Sequence, residues 1–148
     1  MKFVIQRVSQ ASVAVDGVTV GSIGKGFLVL IGVCEADTRE TADKMLKKML
    51  NLRIFDDADG KTNLSLKDVD GQLLLVSQFT LYADCKKGNR PSFVKAGSPA
   101  HANELYEYMI GECRKNCAVV QTGVFGAHMK VALENDGPFT IVLDSTEL

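Results

Sequence analysis

Histidine and closely spaced cysteine pairs are almost absent from this sequence. Its 148 residues include only His101 and His128, and no Cys-x-x-Cys pair occurs. Because a structural zinc site takes four closely placed cysteine or histidine ligands, we expect no bound metal. The four cysteines are scattered, at Cys34, Cys85, Cys113 and Cys117. A chain of this length can bury a core without disulfides, so we predict reduced thiols in a cytoplasmic protein.

A large net charge and a long apolar run are missing as well. The net charge of -1 argues against nucleic-acid binding by bulk electrostatics, although it leaves room for a local basic patch. No apolar run approaches the roughly 18 residues of a membrane span, so no membrane partner is expected. Residues 1–8 carry charge within their apolar stretch and no small-residue cleavage site, which predicts a strand and not a signal peptide.

The spacing of apolar residues predicts one domain, residues 1–148, with two helices and about seven strands. The first helix is capped by Asp37 or Thr38 and runs to about residue 52, and the second begins with Ser98 as its cap and Pro99 as its first residue. Few long crossovers separate the strands. We therefore predict an α+β fold, in which a curved, barrel-like pair of β-sheets carries both helices on one side.

The strongest strand signal covers residues 72–82. Its first half is apolar on both faces, whereas its second half contains Ser77, Gln78 and Thr80. Buried polar side chains cost free energy unless they are hydrogen-bonded, so a strand that becomes polar halfway is expected to enter a site or leave the core.

Thr80 is a candidate nucleophile, with Gln78 on the same predicted face. A threonine hydroxyl needs a neighbouring base, and only the two histidines are available. We predict that His101 lies on the surface of the second helix, whereas His128 lies in a loop that could approach a site. These residues favour a pocket lined by backbone and neutral polar groups, which stabilises an oxyanion but obtains its proton-transfer group from elsewhere.

The loop after this strand is basic. Four cations fall within ten residues of an almost neutral chain: Lys86, Lys87, Arg90 and Lys95. A solvated loop and a phosphate-contacting loop are both consistent with this cluster.

Residues 135–140, Asn-Asp-Gly-Pro-Phe-Thr, separate two strand-like apolar runs near the C-terminal end. Asp-Gly and Gly-Pro steps are common in turns, so the local pattern predicts a hairpin turn. The X-Pro bond is also the one type for which a cis peptide is only about 0.5–1 kcal/mol less stable than trans.

Five stretches of the sequence, spread over the whole chain, resemble the D-aminoacyl-tRNA deacylase (D-tyrosyl-tRNA(Tyr) deacylase) family. They are Gln-Arg-Val-Ser-Gln-Ala-Ser-Val (6–13), Ser-Gln-Phe-Thr-Leu (77–81), Gly-Asn-Arg-Pro-Ser-Phe (88–93), Gly-Ala-His-Met (126–129) and Asn-Asp-Gly-Pro-Phe-Thr (135–140). One departure is Phe139, where a smaller, valine-like residue is expected.

The resemblance implies a homodimeric ester hydrolase without a cofactor, which removes D-amino acids from the 3′ end of tRNA in translation quality control. It implies a catalytic pocket built by Ser77, Gln78, Phe79 and Thr80. A cis Gly137–Pro138 step, held by Arg7, would enter the pocket of the partner subunit, and Met129 would belong to the same substrate site. Rigid backbone carbonyls there would accept the α-amino group and exclude an L side chain, so glycyl-tRNA(Ala) would also be cleaved.

Two mechanisms are compatible with the resemblance, with Thr80 as nucleophile or with the terminal 2′-hydroxyl of tRNA assisting the attack. We favour the second because Thr80 has no identifiable base; backbone N–H groups around Phe79 and Thr80 would then bind the oxyanion. The basic loop residues would contact tRNA. Two other functions are compatible with the sequence: a non-catalytic RNA-binding dimer and a hydrolase of free D-amino-acid esters or peptides.

Overall fold

The computed structural model describes residues 1–148 and confirms the predicted α+β class. Eight strands and two α-helices follow one another along the chain. The strands are β1 (Lys2–Val15), β2 (Val18–Ile23), β3 (Gly26–Gly32), β4 (Arg53–Asp56), β5 (Thr62–Ser65), β6 (Gln72–Ser77), β7 (Val120–Thr122) and β8 (Lys130–Asp144). The helices are α1 (Arg39–Leu50) and α2 (Pro99–Asn116).

The main sheet has six strands and curls into a nearly closed barrel. Its order is β2-β1-β3-β6-β7, with β8 paired to β1, while β4 and β5 form a separate two-stranded sheet. The two ends of this order meet, because a Cβ atom added to Gly21 of β2 would come within 2.6 Å of the carbonyl oxygen of Thr122 in β7. Glycine is required at this close backbone approach.

Both helices cover one face of the curled sheet, as predicted. The buried apolar side chains of α1 and α2 pack against strand side chains such as Phe3, Phe27 and Leu73 and form one apolar core with them. The alternate side chains of the same strands, among them Leu28 and Leu74, fill a second and smaller core inside the barrel. The strands β3 and β6 are thus covered on both faces, which explains their continuous apolar sequences.

The helix starts lie where the cap signals place them. Thr38 caps α1 by accepting a hydrogen bond from the backbone N–H of Thr41, whose hydroxyl accepts one in return from the N–H of Thr38. Ser98 caps α2 through the N–H of His101, and Pro99 is the first helical residue. The prediction for α1 is two residues too long at its C-terminal end, where Asn51 is the cap.

The predicted strand over residues 72–82 is wrong in its second half. β6 ends at Ser77, and Phe79–Tyr82 form a short 3-10 helix. The reason is the partner strand: β3 pairs with β6 only as far as the Ile31–Ser77 pair and ends at Gly32. Beyond that point the chain has no ladder to join, so the predicted assignment of Ser77, Gln78 and Thr80 to strand faces does not apply.

The predicted hairpin turn at residues 135–140 is also wrong. Both flanking runs pair antiparallel with the same strand, β1, and form one strand, β8. Gln6 pairs with Thr140 and Val8 pairs with Asn135. Between these two pairs β1 has one residue and β8 has four, so β8 contains three extra residues. Residues 136–139, here called the Gly-Pro segment, are therefore extruded from the ladder as a wide bulge opposite Arg7.

Candidate functional site

A pocket of about 510 Å³ opens where β6 ends and the 3-10 helix begins. Ser77, Gln78 and Phe79 form one wall, and His128 and Met129 come from the loop that precedes β8. The first turn of α2 and the basic loop complete the lining, so four separate stretches of the chain meet here. The first N–H groups of the 3-10 helix have no partner within the helix, which leaves polar backbone groups available at this point.

Aromatic side chains form the rim of the pocket. Phe79 is 54% exposed, and its ring meets that of Phe93 edge-on, with 5.1 Å between the ring centroids and 74° between the planes. Phe125 lines the same pocket. The sequence identified Phe79 as a pocket residue but assigned no such role to Phe93 or Phe125, because both come from loops with no periodicity. The signal available for Phe93 was its place at the end of the family-like stretch 88–93, and for Phe125 an aromatic residue next to a glycine.

Met129, which lines the pocket, packs over Gly123. Its sulfur accepts a hydrogen bond from the N–H of Val124 at 3.4 Å. A Cβ atom added to Gly123 would lie 2.5 Å from that sulfur, so the absence of a side chain at Gly123 fixes where Met129 lies.

Thr80 is exposed beside the pocket and does not line it. Its hydroxyl oxygen accepts a hydrogen bond from the side-chain Nε2 of Gln78 at 2.5 Å. A nucleophilic hydroxyl must donate its proton to a base, and a carboxamide is not basic enough to take it. The surroundings of Thr80 therefore contain no group that activates it.

The two histidines differ in their positions. His128 is exposed and lines the pocket. The expectation that His101 is a surface residue is wrong, since it is half-buried and its Nε2 atom is enclosed without a hydrogen-bond partner. The first turn of α2 lies against the pocket through Pro99 and Ala102, which is why this end of the helix is less exposed than its sequence indicates.

The Gly-Pro segment is held by Arg7, a buried residue of β1. The Nε atom of Arg7 donates to the carbonyl oxygen of Asp136 at 2.7 Å. Its Nη1 atom donates to the carbonyl oxygen of Ile54 at 2.7 Å, and its guanidinium lies 4.4 Å from the ring centroid of Phe139. The Gly137–Pro138 peptide bond is cis, and both residues are exposed.

The predicted site residues fall into two groups within one chain. Ser77, Gln78, Phe79 and Met129 line the pocket, with Thr80 at its edge. The second group consists of Arg7, Gly137 and Pro138, and none of these residues lines that pocket. A single subunit therefore does not bring the whole predicted set together.

The basic loop contains one paired cation and three unpaired ones. Lys95 forms an ion pair with Asp84 at 2.9 Å, and this contact, with a backbone hydrogen bond from Lys86, holds the pKa of Asp84 below its usual value. Asp84 also forms a β-bridge with Ser92. Lys86, Lys87 and Arg90 are exposed and make no ion pair, so their charge is available to a ligand.

The chain has neither a cluster of metal ligands nor a helix suited to a membrane. No group of three or more histidine, cysteine, aspartate or glutamate side chains is placed to hold a metal ion. Neither α1 nor α2 is sufficiently long and apolar to cross a membrane.

Comparison with known proteins gives the family. The sequence profile of the D-Tyr-tRNA(Tyr) deacylases matches residues 4–144. The chain belongs to the D-aminoacyl-tRNA deacylase family. A Lactobacillus acidophilus protein named D-aminoacyl-tRNA deacylase is 58% identical over 144 residues, which are 97% of this chain and 99% of that protein. The assignment confirms the predicted enzyme class, that of a deacylase, which is an ester hydrolase.

Two solved structures of other proteins agree with the fold. The c-Myc DNA Unwinding Element Binding Protein has a TM-score of 0.92 at 41% identity, over 97% of this chain and 98% of that one. A probable eukaryotic D-amino acid tRNA deacylase has a TM-score of 0.83 at 20% identity, over 96% of this chain and 97% of that one. At that identity the second likeness bears on the fold alone, and it matches the barrel with two helices on one side.

Proposed function

We propose that this protein, acting as one cytoplasmic domain over residues 1–148, hydrolyses the ester bond of D-aminoacyl-tRNA. The products are the free D-amino acid and tRNA. The family assignment supports this reaction, and so does a pocket whose walls carry neutral polar groups and backbone amides but no charged catalytic pair. Such a pocket suits an activated ester, which needs its oxyanion stabilised more than it needs a strong nucleophile.

The Gly-Pro segment of one subunit acts as a chiral gate in the pocket of the other. The observation that supports a gate between subunits is that Arg7, Gly137 and Pro138 do not line the pocket of their own chain. Gly137 and Pro138 project from the barrel on the extruded segment that the buried Arg7 holds, and a homodimer would deliver them to a second pocket. Their backbone carbonyls accept the α-amino group and leave space for a hydrogen but not for an L side chain, so glycyl-tRNA(Ala) is also accepted.

Hydrolysis proceeds with help from the 2′-hydroxyl of the terminal ribose, while backbone N–H groups around Phe79 and Thr80 bind the oxyanion. The hydrogen bond that Thr80 accepts from Gln78 favours this route over a threonine nucleophile. Ser77 and Gln78 shape the wall, and Met129 packs beside it. Lys86, Lys87 and Arg90 contact tRNA phosphates, whereas Lys95 serves the loop through its ion pair with Asp84.

Release of free amino acid from D-Tyr-tRNA and L-Tyr-tRNA tests the proposal. We expect rapid hydrolysis of the D-ester and background rates for the L-ester. Binding of both tRNAs without release would instead indicate a non-catalytic RNA-binding protein. Equal activity on D-tyrosine methyl ester would indicate a small-molecule hydrolase that does not need the tRNA body.

A further inference from the structure

The Gly-Pro segment is closed at its base by a single side-chain amide. Asn135 donates from Nδ2 to the carbonyl oxygen of Phe139 at 2.9 Å and accepts from the N–H of Phe139 at Oδ1, at 2.8 Å. The two ends of the extruded segment are thus bonded to each other through one residue, in place of the strand pairing that the bulge interrupts.

The space beneath Gly137 is occupied by this same amide. A Cβ atom added to Gly137 would lie 2.7 Å from Oδ1 of Asn135 and 2.0 Å from the backbone nitrogen of Phe139. The segment therefore curls closely around the Asn135 side chain, and the direction of its carbonyl groups depends on where that side chain lies.

The orientation of the Asn135 amide is determined by the backbone. A backbone N–H can only donate and a carbonyl can only accept, so Oδ1 must face the N–H of Phe139 and Nδ2 its carbonyl. The second hydrogen on Nδ2 then points to Oε1 of Gln6 in β1, 2.5 Å away. The hydroxyl of Thr140 donates to the same Gln6 oxygen at 2.8 Å. Both hydrogens of the Asn135 amide and the Thr140 hydroxyl hydrogen therefore face acceptor oxygens.

Gln6 and Arg7 are adjacent on β1 and so point to opposite faces of the strand. Arg7 bonds the carbonyl oxygen of Asp136, before the Gly-Pro step. Gln6 bonds Asn135, whose amide holds Phe139, after that step. The segment is therefore held at both of its ends by consecutive residues of a strand whose own position is set by the core.

We propose that Asn135, held in place by Gln6, is a positioning residue that sets the direction of the Gly-Pro carbonyls and thereby the ratio of D- to L-aminoacyl-tRNA hydrolysis. This inference rests on the chiral gate proposed above. Neither residue needs to touch the substrate: they act by keeping the gate rigid, since a gate that can move aside no longer excludes an L side chain.

The substitution Asn135→Asp tests this with little change in size. The aspartate keeps an acceptor for the Phe139 N–H. Its second carboxylate oxygen, which carries no proton, faces the carbonyl oxygen of Phe139 and Oε1 of Gln6. We expect the ratio of L- to D-Tyr-tRNA kcat/KM to rise on the order of tenfold or more, because two hydrogen bonds are lost. Asn116→Asp is the matched control, since the Nδ2 of Asn116 donates to the Glu112 carbonyl in α2, remote from the segment in sequence; its ratio should not change.

Substitutions of Gln6 give an independent readout. Gln6→Glu keeps an acceptor for Asn135 and should leave the L/D ratio within about twofold of wild type, whereas Gln6→Leu removes it and should raise the ratio. A general loss of stability would lower both rates together and would not separate these two variants.

The inference is overturned if folded Asn135→Asp protein keeps the wild-type ratio. If that variant does not fold, an unchanged ratio in Gln6→Leu overturns it in the same way. Pro138→Ala distinguishes this failure from failure of the gate itself: full L-rejection in Pro138→Ala would refute the gate, whereas loss of rejection there with none in Asn135→Asp would refute only the role of Asn135.

Discussion

At the scale of single residues, the site relies on neutral groups. Gln78 donates to Thr80, a thioether packs against Gly123, and the only histidine that lines the pocket is the exposed His128. No side chain in the pocket combines a base with a nucleophile in hydrogen-bonded contact. In the proposed reaction the substrate supplies the proton transfer and the protein supplies the shape of the site.

Thr80→Ala should therefore keep substantial activity on D-Tyr-tRNA, with a loss of no more than about tenfold, which corresponds to one hydrogen bond. Removal of a true nucleophile costs several orders of magnitude more. Single-turnover release of tyrosine measures the difference. A covalent tyrosyl adduct on Thr80, trapped and detected by mass spectrometry in the wild-type protein, would contradict this prediction.

At the scale of secondary structure, the signals that are local in sequence predicted well. Thr38, Ser98 and Pro99 place the helix starts because caps act within one turn of the chain. The end of β6 and the pairing of both halves of β8 were not predictable in the same way. They depend on where β3 ends and on how long β1 is, and no residue within residues 72–82 or 135–140 carries that information.

The residues of the candidate site also differ in whether a local stretch of sequence identifies them. Ser77, Gln78 and Phe79 are adjacent in sequence, so one motif identifies them, and the resemblance adds Met129. Phe93 and Phe125 reach the pocket from separate loops, and only the folded barrel brings them to the rim.

Helix α2 carries a glycine that its stability does not require. Gly111 is exposed within the helix, and a Cβ atom there would meet nothing within 4 Å. Gly111→Ala should stabilise the protein by about 0.5–1 kcal/mol, because alanine loses less backbone entropy in a helix. Thermal unfolding should show an increase in Tm of about 1–4 °C. An unchanged or lower Tm would mean that this face of α2 contacts something in solution.

Burial in α2 also predicts how stability depends on pH. Desolvation raises the pKa of Cys113 from 9.0 to about 12. The folded state thus keeps the thiol proton that the unfolded state releases above pH 9. The stabilisation is complete below that pH and is lost as the pH rises toward the folded value, by at most about 1.4 kcal/mol per pH unit.

Urea unfolding at pH 8, 9 and 10 should show this decline for the wild-type protein. Cys113→Ala will be less stable at every pH because it leaves a cavity, but its decline should be shallower. If the free energy of unfolding declined equally with pH in the two proteins, Cys113 would not be the cause of the decline. Tyr106, whose pKa burial raises to about 12, adds a similar loss above pH 10 in both.

At the scale of the whole molecule, β8 has the features of an interface strand. It pairs with a neighbour on one side only, and its exposed surface includes Leu133 and Val142, the latter 64% exposed. The Gly-Pro segment lies on the same strand. The dimer proposed above requires a second copy to cover a surface of this kind and to bring each gate to the pocket of the other subunit.

Mixing two inactive variants tests whether the gate acts between subunits. Gly137→Val disrupts the segment, where a Cβ atom has no room, and Phe79→Pro removes one proposed oxyanion donor. Each alone should be inactive. After the subunits exchange at random, half of the dimers are mixed and each has one intact site, so about a quarter of the wild-type activity should return. If the mixture stays inactive although mixed dimers form, the gate and the pocket belong to one chain.

The three extra residues of β8 make the Gly-Pro segment an insertion between two lengths of strand that hold their own register against β1. Because the pairing with β1 resumes on both sides of the segment, we expect changes within the segment to leave the rest of the barrel in place. Substrate choice and folding are then inherited almost separately. Substitutions within the Gly-Pro segment can then change which substrates are accepted while the barrel stays the same.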